Sequence, residues 1–299
     1  WREDSTRDNW GTFCYIRDVA SGEFWSAAHQ PTRKQPEQYE AIFTEARAEF
    51  RRRDNGFETH TEIVVSPEDD IELRRVRITN RSRTRRTIDV TSYAEVALAP
   101  AAADALHPAF SNLFVQTEII PQRQAILCTR RPRSHDEPAP WMFHLMAIHG
   151  PHSLDVSFET DRMAFIGRGR TVAAPQAMQV AGRLSGNQGS VLDPIVAIRH
   201  RITLEPQQTA TIDMASGMAE TRDAALSLVG KYQDRHLADR VFDLAWTHSW
   251  VTLRQINATE SDAQLYGRLA SAVIYANASL RAEAGVVSSV GVYFRRSYD

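Results

Sequence analysis

The sequence predicts a mainly β fold, a large antiparallel two-sheet sandwich followed by a short helical segment. Three observations carry this. Apolar residues alternate with period two between turn-forming residues over the first two thirds of the chain, adjacent long strands are joined by short turns, and near Glu220 the apolar spacing becomes helical. At 299 residues, 42% of them hydrophobic and 24% charged, the chain has room for one large domain or a large one with a smaller companion. A single small module is excluded.

Taken in order, strands are expected at Phe13 to Arg17, Glu23 to Ser26 and Tyr39 to Phe50. Phe57, Thr59, Thr61, Ile63 and Val65 then share one face, and Ser66 to Asp70 supplies a turn. In the next strand Ile71 and Leu73 lie on one phase and Val76 and Ile78 on the other, which predicts a bulge or a face switch near Arg74 and Arg75. Asn80-Arg81-Ser82 closes it. Ile88, Val90, Ser92, Ala94, Val96 and Leu98 hold one phase long enough to cross a large sheet. Further strands are read at Leu113 to Ile119, Gln124 to Thr129, Met142 to Ile148, Leu154 to Thr160, Ile195 to Leu204 and Thr209 to Met214. Ala99 to Ala105 reads as a loop with a short helical turn, and Arg131 to Pro140 as a breaker-rich loop.

Beyond Glu220 the apolar set Leu237, Val241, Leu244, Ala245 and His248, and then Leu265, Leu269, Val273, Ala276 and Leu280, has helical spacing. Ser261 and Gln264 have capping-box spacing, so a helix is expected to start at Asp262, with Gly285 as its C-terminal stop. The expected organisation is a β domain over residues 1–218, a helical linker segment over 219–289 and an unplaced tail over 290–299.

With 35 Lys+Arg against 37 Asp+Glu and a net charge of -2, the chain has no global field for polyanions, so nucleic acid is not an expected partner. Cys14 and Cys128 are too few for a disulfide framework or a zinc site and read as buried small hydrophobes. No run approaches a membrane span. The expected location is the cytoplasm, including the cytoplasmic side of an inner-membrane parent protein.

No metal or cofactor is expected. Strand alternation places His144 and His149 on opposite faces, so they cannot converge on a metal with His152. Gly167 and Gly169 resemble a phosphate loop, but no helical pattern follows to hold a phosphate, and a strand-end turn is the expectation. Glu68-Asp69-Asp70 and Asp136-Glu137 sit beside prolines in turns, poor surroundings for a catalytic pair. The densest sugar-type surface is the N-terminal cluster Trp10, Tyr15, Arg17, Asp18, Trp25, His29 and Gln30, aromatic rings for sugar faces beside planar polar groups for hydroxyls. The competing reading makes Trp10 and Trp25 core plugs and Arg17 and Asp18 a turn-stabilising ion pair. Trp246 and Trp250 share a helix face expected to pack on the sandwich.

At these residues the chain resembles a known family. Trp1-Arg-Glu-Asp4, Trp10-Gly11, Tyr15-Ile-Arg-Asp18, Gly22, Trp25-Ser26, Gln30-Pro31 and Tyr39 are similar to the opening domain of glycosyltransferase family 36, now grouped as glycoside hydrolase family 94. Arg77-Ile-Thr-Asn80, Thr91-Ser-Tyr93-Ala-Glu95, Phe165-Ile-Gly-Arg-Gly-Arg170, Leu192-Asp-Pro194 and Arg199 extend the likeness over about residues 1 to 285. Its nearest form is the cyclic β-1,2-glucan synthases, beside the cellobiose and chitobiose phosphorylases.

The resemblance implies a supersandwich similar in fold to galactose mutarotase, joined by linker helices to an (α/α)6 barrel that carries the catalytic acid. The barrel and its catalytic Asp have no counterpart here, and the sequence starts inside the first motif, so the expectation is a non-catalytic part of a longer carbohydrate-active enzyme. Its implied partners are that barrel and a glucan or oligosaccharide, and a homodimer stays open. Two other classes are weighed against it. An autonomous mutarotase-like enzyme needs an acid and a base astride the sugar ring, and a free-standing carbohydrate-binding module needs binding without turnover.

Overall fold

The computed structural model describes residues 11–274, apart from 100–101, 103–105, 133, 135–138 and 152. Thirteen strands and six α-helices form among the described residues. The strands are β1 (Phe13–Asp18), β2 (Phe24–Ser26), β3 (Gln38–Phe43), β4 (Ala48–Asp54), β5 (Phe57–Val65), β6 (Ile71–Asn80), β7 (Arg86–Glu95), β8 (Val115–Ile120), β9 (Ala125–Arg130), β10 (Trp141–His149), β11 (Ser153–Asp161), β12 (Pro194–Leu204) and β13 (Thr209–Ala219). The helices are α1 (Pro108–Asn112), α2 (Arg162–Ile166), α3 (Gln176–Gln179), α4 (Arg222–Gln233), α5 (Arg235–Gln255) and α6 (Glu260–Ile274).

All pairings are antiparallel. A five-stranded sheet runs β11-β12-β7-β1-β2 and an eight-stranded sheet runs β3-β4-β5-β6-β13-β10-β9-β8. Their inner faces meet in a core of Ile16, Trp25, Ile88, Val90, Val76, Ile78, Met146, Ile198 and Met214, with both cysteines inside it. The Ile88–Leu98 phase points into this core throughout. Ile71 and Leu73 belong to a second cluster with Leu127, Phe143 and Leu145, on the outer face of the large sheet. The face switch in β6 is therefore real, but it needs no bulge. Register with β5 and with β13 runs unbroken, and each face of the strand serves its own core.

Helices α4 and α5 close the second core through Ala225, Val229, Tyr232, Ala238, Val241 and Ala245. Below them Arg75 donates to Asp213 at 2.7 and 2.8 Å and to Asp239 of α5 at 2.5 Å, while its guanidinium lies 4.9 Å from the Phe242 ring. The acidic 68–70 turn grips helices. Asp69 accepts from Lys231 at 2.6 Å and from the Tyr232 hydroxyl, and Glu68 accepts from Arg240 at 2.9 Å. Burial alone would raise the Asp69 carboxyl, and these two donors to it outweigh that and hold it below the ordinary carboxylate range.

Several expectations are corrected. Tyr39 to Phe50 is two strands, because the Thr44 hydroxyl and amide bond to the Arg47 carbonyl and fold the chain back without a Gly, Pro or Asn to mark it. The Gly167 turn follows the short helix α2, capped by Asp161, and does not leave a strand. The capping box lies two residues earlier than read: the Thr259 hydroxyl accepts from the Asp262 amide and the Asp262 carboxylate from the Thr259 amide, so α6 starts at Glu260. Trp246 and Trp250 do not pack on the sandwich. They are 60% and 42% exposed, and the packed face is Ala238, Val241 and Ala245.

Strand gives way to helix between Ala219 and Arg222. The chain divides into two compact units after Thr252, the first holding both sheets and α4, the second holding α6. The first unit thus runs past residue 218, because α4 and the start of α5 share the outer core of the large sheet. Gly285, Ala276, Leu280, the 290–299 tail, His152, most of 99–105 and half of 131–140 lie outside the described residues.

Candidate functional site

The predicted N-terminal cluster does not form one open surface. Trp10 lies outside the described residues, and the strand β1 that carries Tyr15 and Arg17 sits inside the five-stranded sheet between β7 and β2. Tyr15 is fully buried and donates its hydroxyl to the Val172 carbonyl at 2.7 Å. Arg17, also buried, donates to the Met178 carbonyl at 3.0 Å and lies 3.6 Å from Asp89. Asp18 does not pair with Arg17. It accepts from the Ser21 amide and hydroxyl at 3.0 and 2.6 Å and lies 3.1 Å from Arg86, and these donors overcome burial to keep its carboxyl ionised below the usual range. Trp25 packs on Phe57 between the sheets, ring centres 5.9 Å apart. Gln30 is half-buried and joined by a cis peptide bond to Pro31, and His29 is exposed beside Tyr39.

The other motif residues converge on this same outer face. Tyr93 and Phe165 pack with Tyr15 in a third cluster, and Tyr93 donates to Glu95, which also accepts from Arg162 at 2.9 Å. Arg199 donates to the Thr91 hydroxyl at 2.9 Å and to the Gly182 and Ala177 carbonyls at 2.8 and 2.7 Å. Arg17, Tyr15 and Arg199 thus pin the 162–189 segment over the small sheet. Their shared work is structural, and the sequence alone does not show it because each partner lies far along the chain.

Nor do the imidazoles form a site. His144 points between the sheets and is fully buried, its two ring nitrogens 2.7 Å from the Ser216 hydroxyl and 2.8 Å from that of Ser92. Burial, helped by the Arg74 charge, pushes its pKa down to about 4, and burial does the same to His200. Both are neutral core groups that a sugar in solvent does not reach. His149 lies on the opposite face beside Asp213 at 3.3 Å.

What the cluster does border is a cleft of about 230 Å³ at the β2 edge of the small sheet. Phe24 and Trp25 form its apolar wall, and Glu23, Lys34, Glu37 and Asn55 are among its polar groups. The loop between β2 and β3 shapes it and is firmly held. Buried Arg52 reaches the Ala28 and Lys34 carbonyls at 3.2 and 2.9 Å while binding Asp54 through two bonds of 2.6 and 2.9 Å. Ser26 and Thr32 hydroxyls meet at 2.8 Å, and the Glu37 amide donates to the Arg53 carbonyl at 2.9 Å. Sequence reading named Trp25 but missed the rest, because the cleft joins three segments that only the β-sheet register brings together.

Each of the last two described helices also exposes apolar side chains. Trp246 and Trp250 stand 6.0 Å apart on α5 with Val251 beside them, all exposed. On α6 Leu265, Leu269 and Val273, one turn apart, are 52%, 57% and 87% exposed with Tyr266. Among the described residues no helix is long and apolar enough to cross a membrane.

Comparison with known proteins agrees with this architecture. A family described as glycosyl hydrolase 94, supersandwich domain, matches residues 1–235. The chain is 32% identical over 289 residues to the cyclic beta-(1,2)-glucan synthase NdvB of Rhizobium meliloti (strain 1021), which covers 97% of this chain and 10% of that protein. It is 24% identical to solabiose phosphorylase of Paenibacillus borealis, over 73% of this chain and 27% of that one. It is 26% identical to N,N'-diacetylchitobiose phosphorylase of Vibrio furnissii, over 81% and 29% respectively. The chain therefore spans about a tenth to less than a third of these relatives. With two antiparallel sheets, helices on the larger one and a match over most of its length, the chain belongs to the supersandwich domain family of glycosyl hydrolase 94.

Proposed function

We propose that this chain is the non-catalytic supersandwich and linker module of a cyclic β-1,2-glucan synthase or β-glycoside phosphorylase-like enzyme, and that it supports an (α/α)6 catalytic barrel. The observation that carries this is the uncovered apolar stripe of Trp246, Trp250 and Val251 on the helix that leaves the sandwich. Aromatic residues placed one turn apart on an exposed helix face are what a packed interface uses, and a solitary domain gains nothing from wetting them. The stripes on α5 and α6 are the faces proposed to meet the barrel.

Phosphorolysis needs an acid to protonate the glycosidic oxygen while phosphate attacks from the opposite side of the sugar. Buried Asp213 and Asp89 are committed to Arg75 and Arg201, and buried Glu159 to the Ser185 hydroxyl and the Asn187 amide, so the acid is assigned to the barrel. The parent's ligand on this reading is a glucan or oligosaccharide, and its place is the cytoplasm or the cytoplasmic side of the inner membrane. The test is to incubate the chain with β-1,2-glucan and phosphate and follow glucose 1-phosphate, with polarimetry of α-glucose for anomerisation. No turnover in either assay is expected. Release of sugar phosphate or faster anomerisation by the chain alone would overturn the reading.

A further inference from the structure

We infer that strand β3 pairs edge to edge with β3 of a second copy of this chain, joining two eight-stranded sheets across a two-fold axis. The two sheets of one chain end in β3, β8, β11 and β2, and the chain itself guards the last three. Thr117 of β8 exchanges main-chain bonds with Gly189 at 3.0 and 2.9 Å, and the Ile119 amide donates to the Gln188 side chain at 2.8 Å. On β11 the Phe158 carbonyl accepts from the Gly186 amide at 2.9 Å and the Val156 carbonyl from Arg183 at 2.9 Å. β2 is only three residues long, and its Ser26 amide donates to the Thr32 hydroxyl at 3.2 Å. β3 has no such cover among the described residues. Five of its six residues are exposed, and its sequence holds no Pro or Lys. An edge left open in this way is a template for another strand, which is why proteins ordinarily block it.

The register follows from the alternation of main-chain bonds. The Thr44 amide donates to the Arg47 carbonyl at 2.9 Å, so Ile42, Glu40 and Gln38 turn their main chain to β4. Phe43, Ala41 and Tyr39 turn theirs outward. An antiparallel partner must set outward residues against outward residues, and two long registers do so. One places Glu40 opposite the partner's Glu40, and like charges directly opposed are disfavoured. The other places Ala41 opposite the partner's Ala41, Tyr39 opposite the partner's Phe43 and Glu40 opposite the partner's Ile42. No two charges then meet within the strand. Just beyond it Glu37 comes opposite the partner's Glu45, and Arg53 at 3.1 Å offsets the Glu37 charge.

The side chains fit the same register. Tyr39 and Phe43, 40% and 71% exposed, both pack against Phe50 of β4, with ring centres 6.5 and 5.9 Å away. Setting Tyr39 beside the partner's Phe43 extends this aromatic row across the axis and covers rings that a lone chain leaves in water. Because the strand meets itself, the contact closes at a dimer and does not propagate. It uses neither helix stripe, so it stands apart from the barrel-supporting role proposed above.

The experiment is sedimentation equilibrium of the whole chain from about 5 to about 500 µM, beside Ala41→Pro, Phe43→Lys and the Trp246→Ser/Trp250→Ser variant. Ala41→Pro removes an outward amide that the monomer does not use, and Phe43→Lys adds a charge at an exposed edge position, so both are expected to fold. A monomer–dimer equilibrium is expected for the unaltered chain, weakened tenfold or more by either edge variant and unchanged by the helix variant. If one edge variant fails to fold, the other decides. Oxidation reads the register: Ala41→Cys is expected to form an interchain disulfide and Glu40→Cys is not, and Cys14 and Cys128 are buried and do not compete. A monomer at every concentration, a dimer that both edge variants keep, a dimer lost only in the helix variant, or association that runs past a dimer would each overturn the pairing. Cross-linking of Glu40→Cys in preference to Ala41→Cys would overturn it as well.

Discussion

Acid should loosen the joint between the two sheets, and His144 should account for a measurable share. Its imidazole is fully buried and bridges Ser92 of the small sheet to Ser216 of the large one. In the fold its pKa is about 4, against an ordinary 6.5 that the unfolded chain keeps. The unfolded state therefore takes up the proton first as pH falls. The stability this group contributes is complete above about pH 6.5 and is lost as pH falls towards about 4.

At 1.36 kcal/mol per pKa unit, going from about pH 7.5 to about pH 5 removes about 2 kcal/mol through His144. His200, also pushed down to about 4, removes a similar amount, so the two together approach about 4 kcal/mol. Carboxylates add little over that window, since Asp18, Asp69 and Asp213 have unfolded values near 3.8. The assay is urea unfolding followed by tryptophan fluorescence at both pH values, for the parent chain and for His144→Gln. The variant is expected to be less stable at neutral pH by about 1–3 kcal/mol for its broken bridge, yet to lose about 2 kcal/mol less than the parent on acidification. An unchanged pH dependence in the variant would refute a neutral, sealed His144.

Three further outcomes follow from the packing. Arg75→Met leaves the fully buried Asp213 carboxylate with only His149 beside it and releases Asp239 of α5, so a loss of about 3–5 kcal/mol is expected in thermal unfolding, with faster amide exchange in α5. Gly217→Ala would set a methyl group 2.5 Å from the Ile71 side chain and 2.7 Å from the Asp70 carbonyl, backbone that cannot give way, and about 1–3 kcal/mol of destabilisation should appear in the same melts. Trp246→Ser combined with Trp250→Ser alters only exposed side chains, so the melting free energy of the chain should stay within about 0.5 kcal/mol of the parent's in the same melts.

The sandwich was legible because alternation is a local signal and this chain keeps it over long strands: the Ile88–Leu98 phase reads the inner core directly. β6 was readable too, its two phases marking two cores. The Thr44–Arg47 turn was hidden because an ordinary Thr supplies the bonds that a Gly or Asn more often advertises. The orientation of Trp246 was misjudged since helical spacing says which residues share a face, not which of two apolar faces is covered. The polar residues of β1 were drawn towards a sugar surface by their chemistry, while their true neighbours, Val172, Met178 and Asp89, lie at distances along the chain that no spacing rule reaches. The cleft was out of reach for the same reason, as Glu23, Lys34 and Asn55 meet only through the register of two sheets.

The central claim, a module built to carry a catalytic barrel through its helix stripe, is tested most directly by sedimentation velocity. The chain would be mixed with the part of the Rhizobium meliloti glucan synthase that lies outside the matched region, alongside the Trp246→Ser/Trp250→Ser variant. The account predicts a complex with the unaltered chain that the folded double variant fails to form. No complex with either protein, or the same complex with both, would contradict it.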